Sequence, residues 1–178
     1  MNFLNLPIGP DVPETVNAIV EIPGGQANKY EFDKALHVFR LDRPLYASVH
    51  YPGDYGFIPG TCARDGDPQD ILILLQHPTF AGCLIHVRPI GALSMLDQGV
   101  PDEKILAVAV SSPAHRLIRN HTDLEPHVLQ EIEHFFSVYK ELEGKHTQIK
   151  GWRDATHAQE LIASSHEKFE ANTGHSTE

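Results

Sequence analysis

The chain of 178 residues is poor in cysteine and in positive charge, and it has no apolar run of membrane-spanning length. Cys62 and Cys83 are too few for a disulfide framework or a thiolate metal site. Residues 1–7 lack the basic start and the long apolar stretch of a signal peptide. We therefore expect a cytoplasmic protein rather than a secreted disulfide scaffold or a protein with membrane-spanning helices.

The charge balance is acidic, with 14 Lys and Arg residues against 24 Asp and Glu residues and a formal net charge of −10. Nucleic acid and anionic membranes both require a basic surface, so neither is expected as the main partner. A small anionic substrate remains compatible, because bound metal ions can invert the local charge. The 12 histidines show no repeated ligand spacing, and a dedicated histidine metal site is not expected.

The most informative segment carries three aspartates within six residues, directly before the apolar run at 71–75. These aspartates are Asp65, Asp67 and Asp70. Gly66 and Pro68 favour a turn, and the apolar run predicts a buried strand behind it. Three carboxylates this close repel one another unless a cation lies between them, and hard divalent cations prefer several oxygen ligands. A metal site and a solvated acidic loop both remain open from this segment alone.

Two other acidic motifs fit the spacing poorly. A calcium-binding helix-loop-helix needs Gly at its sixth loop position and Glu at its twelfth, but counting from Asp65 gives Asp70 and Gln76. Phosphatases that form an aspartyl-phosphate place their acids after a buried strand, whereas here the predicted strand follows the acids. Neither motif is therefore favoured.

The periodicity of apolar residues changes along the chain. Strands are predicted at 18–22, 29–33, 37–41, 71–75, 84–90 and 105–110, with an ordered loop containing a short extended piece at 51–60. A helix is predicted from Pro126 to Gly144, and a second from near Asp154 to about Phe169.

These elements predict an α+β fold, with a small curled OB-like β-barrel and two C-terminal helices packed on it. We expect one catalytic domain over residues 1–170. The polar tail at 171–178 is expected to be frayed.

A second acidic pair, Asp97 and Asp102, lies in a predicted turn between two strands. If the two acidic turns meet at one sheet edge, their five carboxylates would bind more than one divalent cation. Basic and phenolic side chains elsewhere would complement a polyanion, although each alone is better explained as a solvated or packed side chain. They are Lys29, Arg43, Tyr55, Lys104, Tyr139 and Lys140.

With these motifs in this order, the chain resembles the soluble family I inorganic pyrophosphatases of bacterial type, from about Leu4 to about Phe169. The family's acidic turn has the form Asp-x-Asp-Pro-apolar-Asp-apolar, and Gln69 departs from it at the first apolar position. A buried amide without partners costs about 1–3 kcal/mol, so we expect Gln69 to find a hydrogen bond or solvent. Other matching stretches are Glu21-Ile22-Pro23, Lys29-Tyr30-Glu31, Asp42-Arg43, Tyr51-Pro52, Tyr55-Gly56, Asp102-Glu103-Lys104, His134-Phe135-Phe136 and Tyr139-Lys140.

The resemblance implies Mg²⁺-dependent hydrolysis of pyrophosphate to two orthophosphates by a metal-activated water. It implies that Asp65, Asp70 and Asp102 hold one ion, and that Asp70 helps to hold a second. Asp97 and Asp102 would take further ions brought with the substrate, and Asp67 would be the general base. The residues that would bind the phosphates are Lys29, Arg43, Tyr55, Lys104, Tyr139 and Lys140. Glu21 and Glu31 would lie outside the metal ligands and adjust the properties of the ligands and the bound water.

The resemblance also implies a homo-oligomer, commonly a hexamer in bacteria, with Mn²⁺ or Zn²⁺ as substitutes for Mg²⁺. Two other functions remain open. The first is a non-catalytic barrel that binds nucleotides, oligosaccharide or a protein, which would not need two acidic turns and a set of phosphate-binding residues. The second is another metal-dependent phosphohydrolase, acting on a nucleoside triphosphate or an organic phosphate, which would differ mainly in pocket size.

Overall fold

The computed structural model describes residues 2–174, and within them eight strands and two α-helices alternate with short 3₁₀ turns. The strands are β1 (Val16–Ile22), β2 (Asn28–Asp33), β3 (Val38–Pro44), β4 (Asp54–Ile58), β5 (Gln69–Leu74), β6 (Leu84–Asp97), β7 (Val100–Ala109) and β8 (Thr147–Arg153). The helices are α1 (Pro126–Val138) and α2 (Ala155–Gly174).

Five of these strands close into a ring in the order β1-β4-β5-β7-β6, because β1 also pairs with β6. Strands β5 and β7 run parallel, with Ile71 opposite Ile105, and the other pairs of the ring are antiparallel. Strand β8 extends the sheet beyond β6, and β2 with β3 forms a separate hairpin. The predicted α+β fold, a curled barrel-like core with two C-terminal helices, is confirmed.

Strand β5 is buried on both faces, which explains its uninterrupted apolar run. Ile71 and Ile73 belong to a core cluster that includes residues of α2. Leu72 and Leu74 belong to a second cluster, which includes the apolar face of α1. Each fully buried side chain of this kind contributes about 1.5–3 kcal/mol, so the strand that carries Asp70 is rigidly anchored.

Strand β4 occupies the middle of the segment predicted as an ordered loop at 51–60, and all five of its residues are buried. Gly56 is required there, because a Cβ at this position would lie 1.9 Å from the backbone oxygen of Ile19. The backbones of β1 and β4 therefore approach too closely for any side chain. The short extended piece predicted within this segment is therefore confirmed, although the glycine and proline content favoured a loop around it.

The prediction missed β8, which pairs with the outer edge of β6. Its residues are exposed or half-buried, and the strand lacks the apolar run that marks β5. Strand β6 also runs to Asp97, well beyond the predicted end at residue 90. Both differences arise because β6 and β8 pair at the rim of the sheet, where tertiary contacts rather than apolar content stabilise the strands.

Helix α1 begins at Pro126 as predicted but ends at Val138, and a 3₁₀ turn over Glu141–Glu143 precedes Gly144. Helix α2 continues to Gly174, beyond the predicted end at Phe169. Residues 171–174 of the expected frayed tail are thus helical, and residues 175–178 lie outside the described residues. Within the described part of the chain, no helix is long and apolar enough to cross a membrane.

Candidate active site

A cavity of about 800 Å³ lies between β2, the acidic turn that precedes β5, and the hairpin formed by β6 and β7. Twelve of the thirteen predicted site residues line it, and Arg43 is the exception. Among the described lining residues, eight carry carboxylates and six carry ammonium or guanidinium groups. The twelve are Glu21, Lys29, Glu31, Tyr55, Asp65, Asp67, Asp70, Asp97, Asp102, Lys104, Tyr139 and Lys140.

The sheet brings together acids that are distant in sequence. The parallel register of β5 and β7 places Asp70 directly before the Ile71–Ile105 pair, at the level of Lys104. Asp97 ends β6, while Asp102 lies within β7 opposite Met95. Asp102 is therefore a strand residue and not part of a turn as predicted, because the turn itself is short and lies at residues 98–99.

Lys104 links the two acidic segments. Its buried ammonium group contacts a carboxylate oxygen of Asp70 and lies 2.8 Å from Oδ2 of Asp102. Burial alone would lower the pKa of Lys104, but the two carboxylates outweigh it and raise that pKa. Lys104 is therefore a cation in this structure and both acids share it, so the two carboxylates lie within reach of one small positive ion.

A second ion pair lies across the cavity, where Nζ of Lys140 donates to Oδ2 of Asp97 over 2.6 Å. Burial opposes the charge on Lys140, but Tyr139 and Asp97 raise its pKa above the usual value. The other carboxylate oxygen of Asp97, Oδ1, is buried and has no hydrogen-bond partner among the described residues. A buried carboxylate oxygen is a costly acceptor to leave unpaired, and this one is available to a ligand.

The acidic turn orders its own carboxylates. The amide of Asp67 donates to Oδ1 of Asp65 over 3.0 Å, and Gly66 adopts a φ of +92° that favours glycine. Nζ of Lys34, at the end of the β2–β3 hairpin, donates to Oδ1 of Asp67 over 2.6 Å. No local sequence pattern indicates this contact, because the two residues are 33 positions apart and lie in separate turns.

Glu21 lies deep in the cavity wall, where it accepts a hydrogen bond of 2.8 Å from the amide of Phe32. Burial raises the pKa of Glu21 to about 8, and the nearby charge of Asp70 adds to the increase. Lys29 contacts Glu31 and lies 3.6 Å from Asp42. This part of the wall therefore holds a buried carboxyl group with a raised pKa near one ammonium ion.

Arg43 lies opposite Lys29 in the β2–β3 hairpin but outside the cavity lining. Its Nε donates to Oε1 of Glu143 over 2.8 Å, and its guanidinium also contacts Asp42. One guanidinium nitrogen, NH2, is buried without a hydrogen-bond partner in the part of the chain that the structure describes. The hydrogen-bond donors of the Arg43 guanidinium group are thus not all satisfied by the described residues.

Three tyrosines form an apolar back wall. Tyr55 and Tyr139 were predicted site residues. Tyr51 was noted only as part of a matching stretch, and its ring centroid lies 5.5 Å from that of Tyr55. Burial raises the pKa of all three phenols, so they are neutral hydroxyl groups near neutral pH. Nζ of Lys104 lies 5.9 Å from the centroid of the Tyr55 ring.

The residues fit divalent cations, although among residues 2–174 no three acidic, histidine or cysteine side chains already converge as a complete ligand set. Lysine ammonium groups lie beside the carboxylates instead. Asp70 and Asp102 share one such group, and Oδ1 of Asp97 is a buried acceptor without a partner. Hard dications prefer carboxylate oxygens, so the chemistry of this donor set is suitable.

Comparison with known proteins gives a consistent result. The family model for inorganic pyrophosphatase matches residues 18–170. The chain is 50% identical to an inorganic pyrophosphatase of Nostoc sp. over 165 residues, which cover 93% of this chain and 97% of the relative. It is 53% identical to that of Synechocystis sp. over 139 residues, covering 78% of this chain and 82% of the relative.

Solved structures support the same family match. An inorganic pyrophosphatase from Thermus thermophilus superposes with a TM-score of 0.93 at 40% identity, covering 96% of this chain and 99% of that one. A protein from Anaplasma phagocytophilum described as an inorganic phosphatase gives a TM-score of 0.90 at 40% identity, covering 93% of this chain and 99% of that one. The resemblance found in the sequence is confirmed, and the chain belongs to the inorganic pyrophosphatase family.

Proposed function

We propose that this protein hydrolyses inorganic pyrophosphate to two orthophosphates with the help of divalent metal ions. The observation that carries the proposal is the shared cation contact of Asp70 and Asp102 inside one cavity. These carboxylates come from separate segments, and lysines and phenols surround them. The names of the relatives in Nostoc and Synechocystis support the choice of substrate.

In this proposal, Asp65, Asp70 and Asp102 would hold one Mg²⁺, and Asp70 would help to hold a second. Asp97 and Asp102 would take further ions brought with the substrate. Bound Mg²⁺ supplies water activation and neutralisation of phosphate charge. Mn²⁺ or Zn²⁺ would substitute for it. The unpartnered Oδ1 of Asp97 supports its role as a ligand, because an incoming cation would satisfy that buried oxygen.

Asp67 is proposed to accept the proton of the attacking water. Its carboxylate lies in the cavity lining and is well exposed, so water can reach it. The proposed metal ligands Asp65 and Asp70 lie two residues before it and three residues after it, and this proximity supports a base close to the activated water. No covalent enzyme intermediate is required.

The lysines are proposed to exchange partners when substrate binds. Lys104 and Lys140 now neutralise Asp102 and Asp97, and metal ions would take over those carboxylates. The two ammonium groups would then be available to phosphate oxygens, with Lys29 at the other wall of the cavity. Before any exchange both lysines are protonated, because the neighbouring carboxylates and, for Lys140, Tyr139 outweigh burial and raise their pKa values.

Arg43, Tyr55 and Tyr139 complete the proposed substrate contacts. The free guanidinium nitrogen of Arg43 is a donor that a phosphate oxygen could satisfy. The neutral phenols of the two tyrosines can donate to the leaving phosphate. Glu21 and Glu31 are proposed to adjust the nearby ligands and water from the cavity wall.

We further propose that residues 1–170 form one catalytic domain, that the protein acts in the cytoplasm and that it assembles as a homohexamer. The resemblance to bacterial pyrophosphatases supports these three points. The mass of the protein in solution would test the assembly, and a mass other than six chains would reject the hexamer.

Phosphate release from pyrophosphate, ATP and a phosphomonoester, each with Mg²⁺ and with EDTA, tests the proposed function. We expect rapid release from pyrophosphate with Mg²⁺, little from the other substrates, and none with EDTA. Preference for ATP or the phosphomonoester would indicate another phosphohydrolase. No release from any substrate would indicate a binding barrel and reject catalysis.

A further inference from the structure

Gln69 departs from the family's apolar pattern in the acidic turn, and the structure shows what its side chain contacts. It is the first residue of β5, directly before Asp70, and only 4% of its surface is exposed. Its Nε2 donates a hydrogen bond of 2.8 Å to the backbone oxygen of Glu103. Glu103 lies in β7 between Asp102 and Lys104, so the Gln69 amide joins the two acid-bearing segments.

This contact lies at the end of the parallel strand pair, where β5 and β7 are closest to the cavity. The backbone register of the two strands begins at Ile71 and Ile105. Continued by two residues toward the cavity, the same register places Gln69 opposite Glu103. The side-chain amide therefore supplies a cross-strand hydrogen bond two residues beyond the last backbone pair, which an apolar side chain cannot provide.

Both ends of the contact are fixed by other groups. The backbone N–H of Gln69 donates to Oγ1 of buried Thr61 over 2.9 Å. On the other side, the Glu103 carboxylate accepts from Oγ of Ser94 over 2.8 Å and lies 2.9 Å from Nε2 of His157 in α2. The hydrogen bond thus joins two ordered segments, and it restrains their separation at the level of the acids.

We propose that Gln69 is a positioning residue that sets the spacing between the Asp70 and Asp102 carboxylates, and through it the affinity of the site for a divalent cation. Gln69 does not touch the metal or the substrate in this role. It holds Asp70, its neighbour in β5, against the part of β7 that presents Asp102. The inference rests on the proposed metal site.

The test is titration of the metal-free protein with Mg²⁺ in a calorimeter, comparing wild type with Gln69→Met. Methionine keeps the length of the side chain but removes the donor. We expect the dissociation constant for Mg²⁺ to rise about threefold to tenfold, the range that loss of one hydrogen bond gives. In steady-state assays, the Mg²⁺ concentration for half-maximal rate should rise while kcat at saturating Mg²⁺ changes little.

Thr79→Val is the matched control. Oγ1 of Thr79 donates to the buried carboxylate of Asp54, and neither residue lines the cavity. The control should lower the melting temperature without changing Mg²⁺ affinity, which separates loss of positioning from loss of stability. If Gln69→Met does not fold, Gln69→Leu provides the same comparison with the family's residue class.

Two failures can be told apart. If wild type binds Mg²⁺ and the Gln69 variants bind it equally well, the positioning role is overturned and the proposed function stands. If wild type shows no Mg²⁺ binding, the metal site itself is rejected, and the inference falls with it. An equal loss of affinity in Thr79→Val would also overturn a specific role for Gln69.

Discussion

Nζ of Lys34 donates a hydrogen bond of 2.6 Å to Oδ1 of Asp67, and so joins the β2–β3 hairpin to the acidic turn. The two side chains are 54% and 65% exposed. Exposed ion pairs contribute about 0–1 kcal/mol, so this contact has little effect on stability. Its importance lies in its position, because it places a cation at the cavity mouth beside the proposed base.

Lys34→Met removes that cation. We expect KM for pyrophosphate to rise about twofold to fivefold, because the substrate is an anion and the rim of the cavity loses a positive charge. The melting temperature should stay within about one degree of wild type, as the pair is exposed. Lys150→Met is the control, since Lys150 is exposed on β8 and lies outside the cavity lining. Equal kinetics in both variants would show that Lys34 has no role in substrate capture.

Asp67→Asn replaces the proposed base with a group of similar size that cannot accept the proton. We predict that kcat falls about 10²-fold or more, the range typical for loss of a general base. Folding and Mg²⁺ binding should persist, because Asp67 is well exposed and is not a proposed metal ligand. Steady-state kinetics at saturating Mg²⁺ provide the measurement. Turnover close to wild type would show that another group accepts the proton.

Lys29→Ala and Arg43→Ala compare a residue that lines the cavity, Lys29, with one outside the cavity lining, Arg43. Both should raise KM for pyrophosphate, because each loses a positive group proposed to bind phosphate. Arg43→Ala should also lower the free energy of unfolding by about 1–3 kcal/mol, since the side chain of Glu143 is only 7% exposed and would keep only Lys145, at 3.5 Å, as an ion-pair partner among the described residues. Denaturant unfolding beside kinetics measures both effects. Unchanged KM in both variants would contradict their assignment.

The raised pKa of Glu21 predicts that the stability of the metal-free protein depends on pH. Its pKa in the folded state is about 8, against 4.5 for an unperturbed Glu, so between these values the folded state binds more protons than the unfolded state. The free energy of unfolding should therefore fall as the pH rises from about 5 to about 8. Urea unfolding in EDTA across this range measures the slope.

Glu21→Gln is the reference for the wild-type pH profile, because the glutamine side chain carries no charge at any of these pH values. The variant should be more stable than wild type at pH 8, and its stability should fall less steeply with pH. Parallel pH profiles for the two proteins would show that Glu21 does not carry this dependence.

The sequence was most informative where one residue type dominates a short segment. The apolar run of β5 predicted a buried strand, and the spacing of Asp65, Asp67 and Asp70 predicted an acidic turn beside it. Both signals are local, so no knowledge of the tertiary structure was needed. Family resemblance added the order of the remaining site residues along the chain.

Contacts between distant segments could not be read from the sequence. The pairing of Lys34 with Asp67 depends on how the hairpin folds over the barrel. The hydrogen bond of Gln69 to Glu103 depends on the parallel register of β5 and β7. Strand β8 depends on an edge that β6 provides. In each case the partner lies far away in the chain, and the residue itself has no distinctive local pattern.

The convergence of Asp70 and Asp102 on one divalent cation is tested most directly by a crystal structure of the protein with Mn²⁺, using the anomalous signal of the metal. We predict an anomalous peak within bonding distance of both carboxylates, with Lys104 displaced from at least one of them. The proposed shared metal site would be contradicted if the protein hydrolyses pyrophosphate but shows no anomalous peak beside these two acids, with the Lys104 ammonium group still between them.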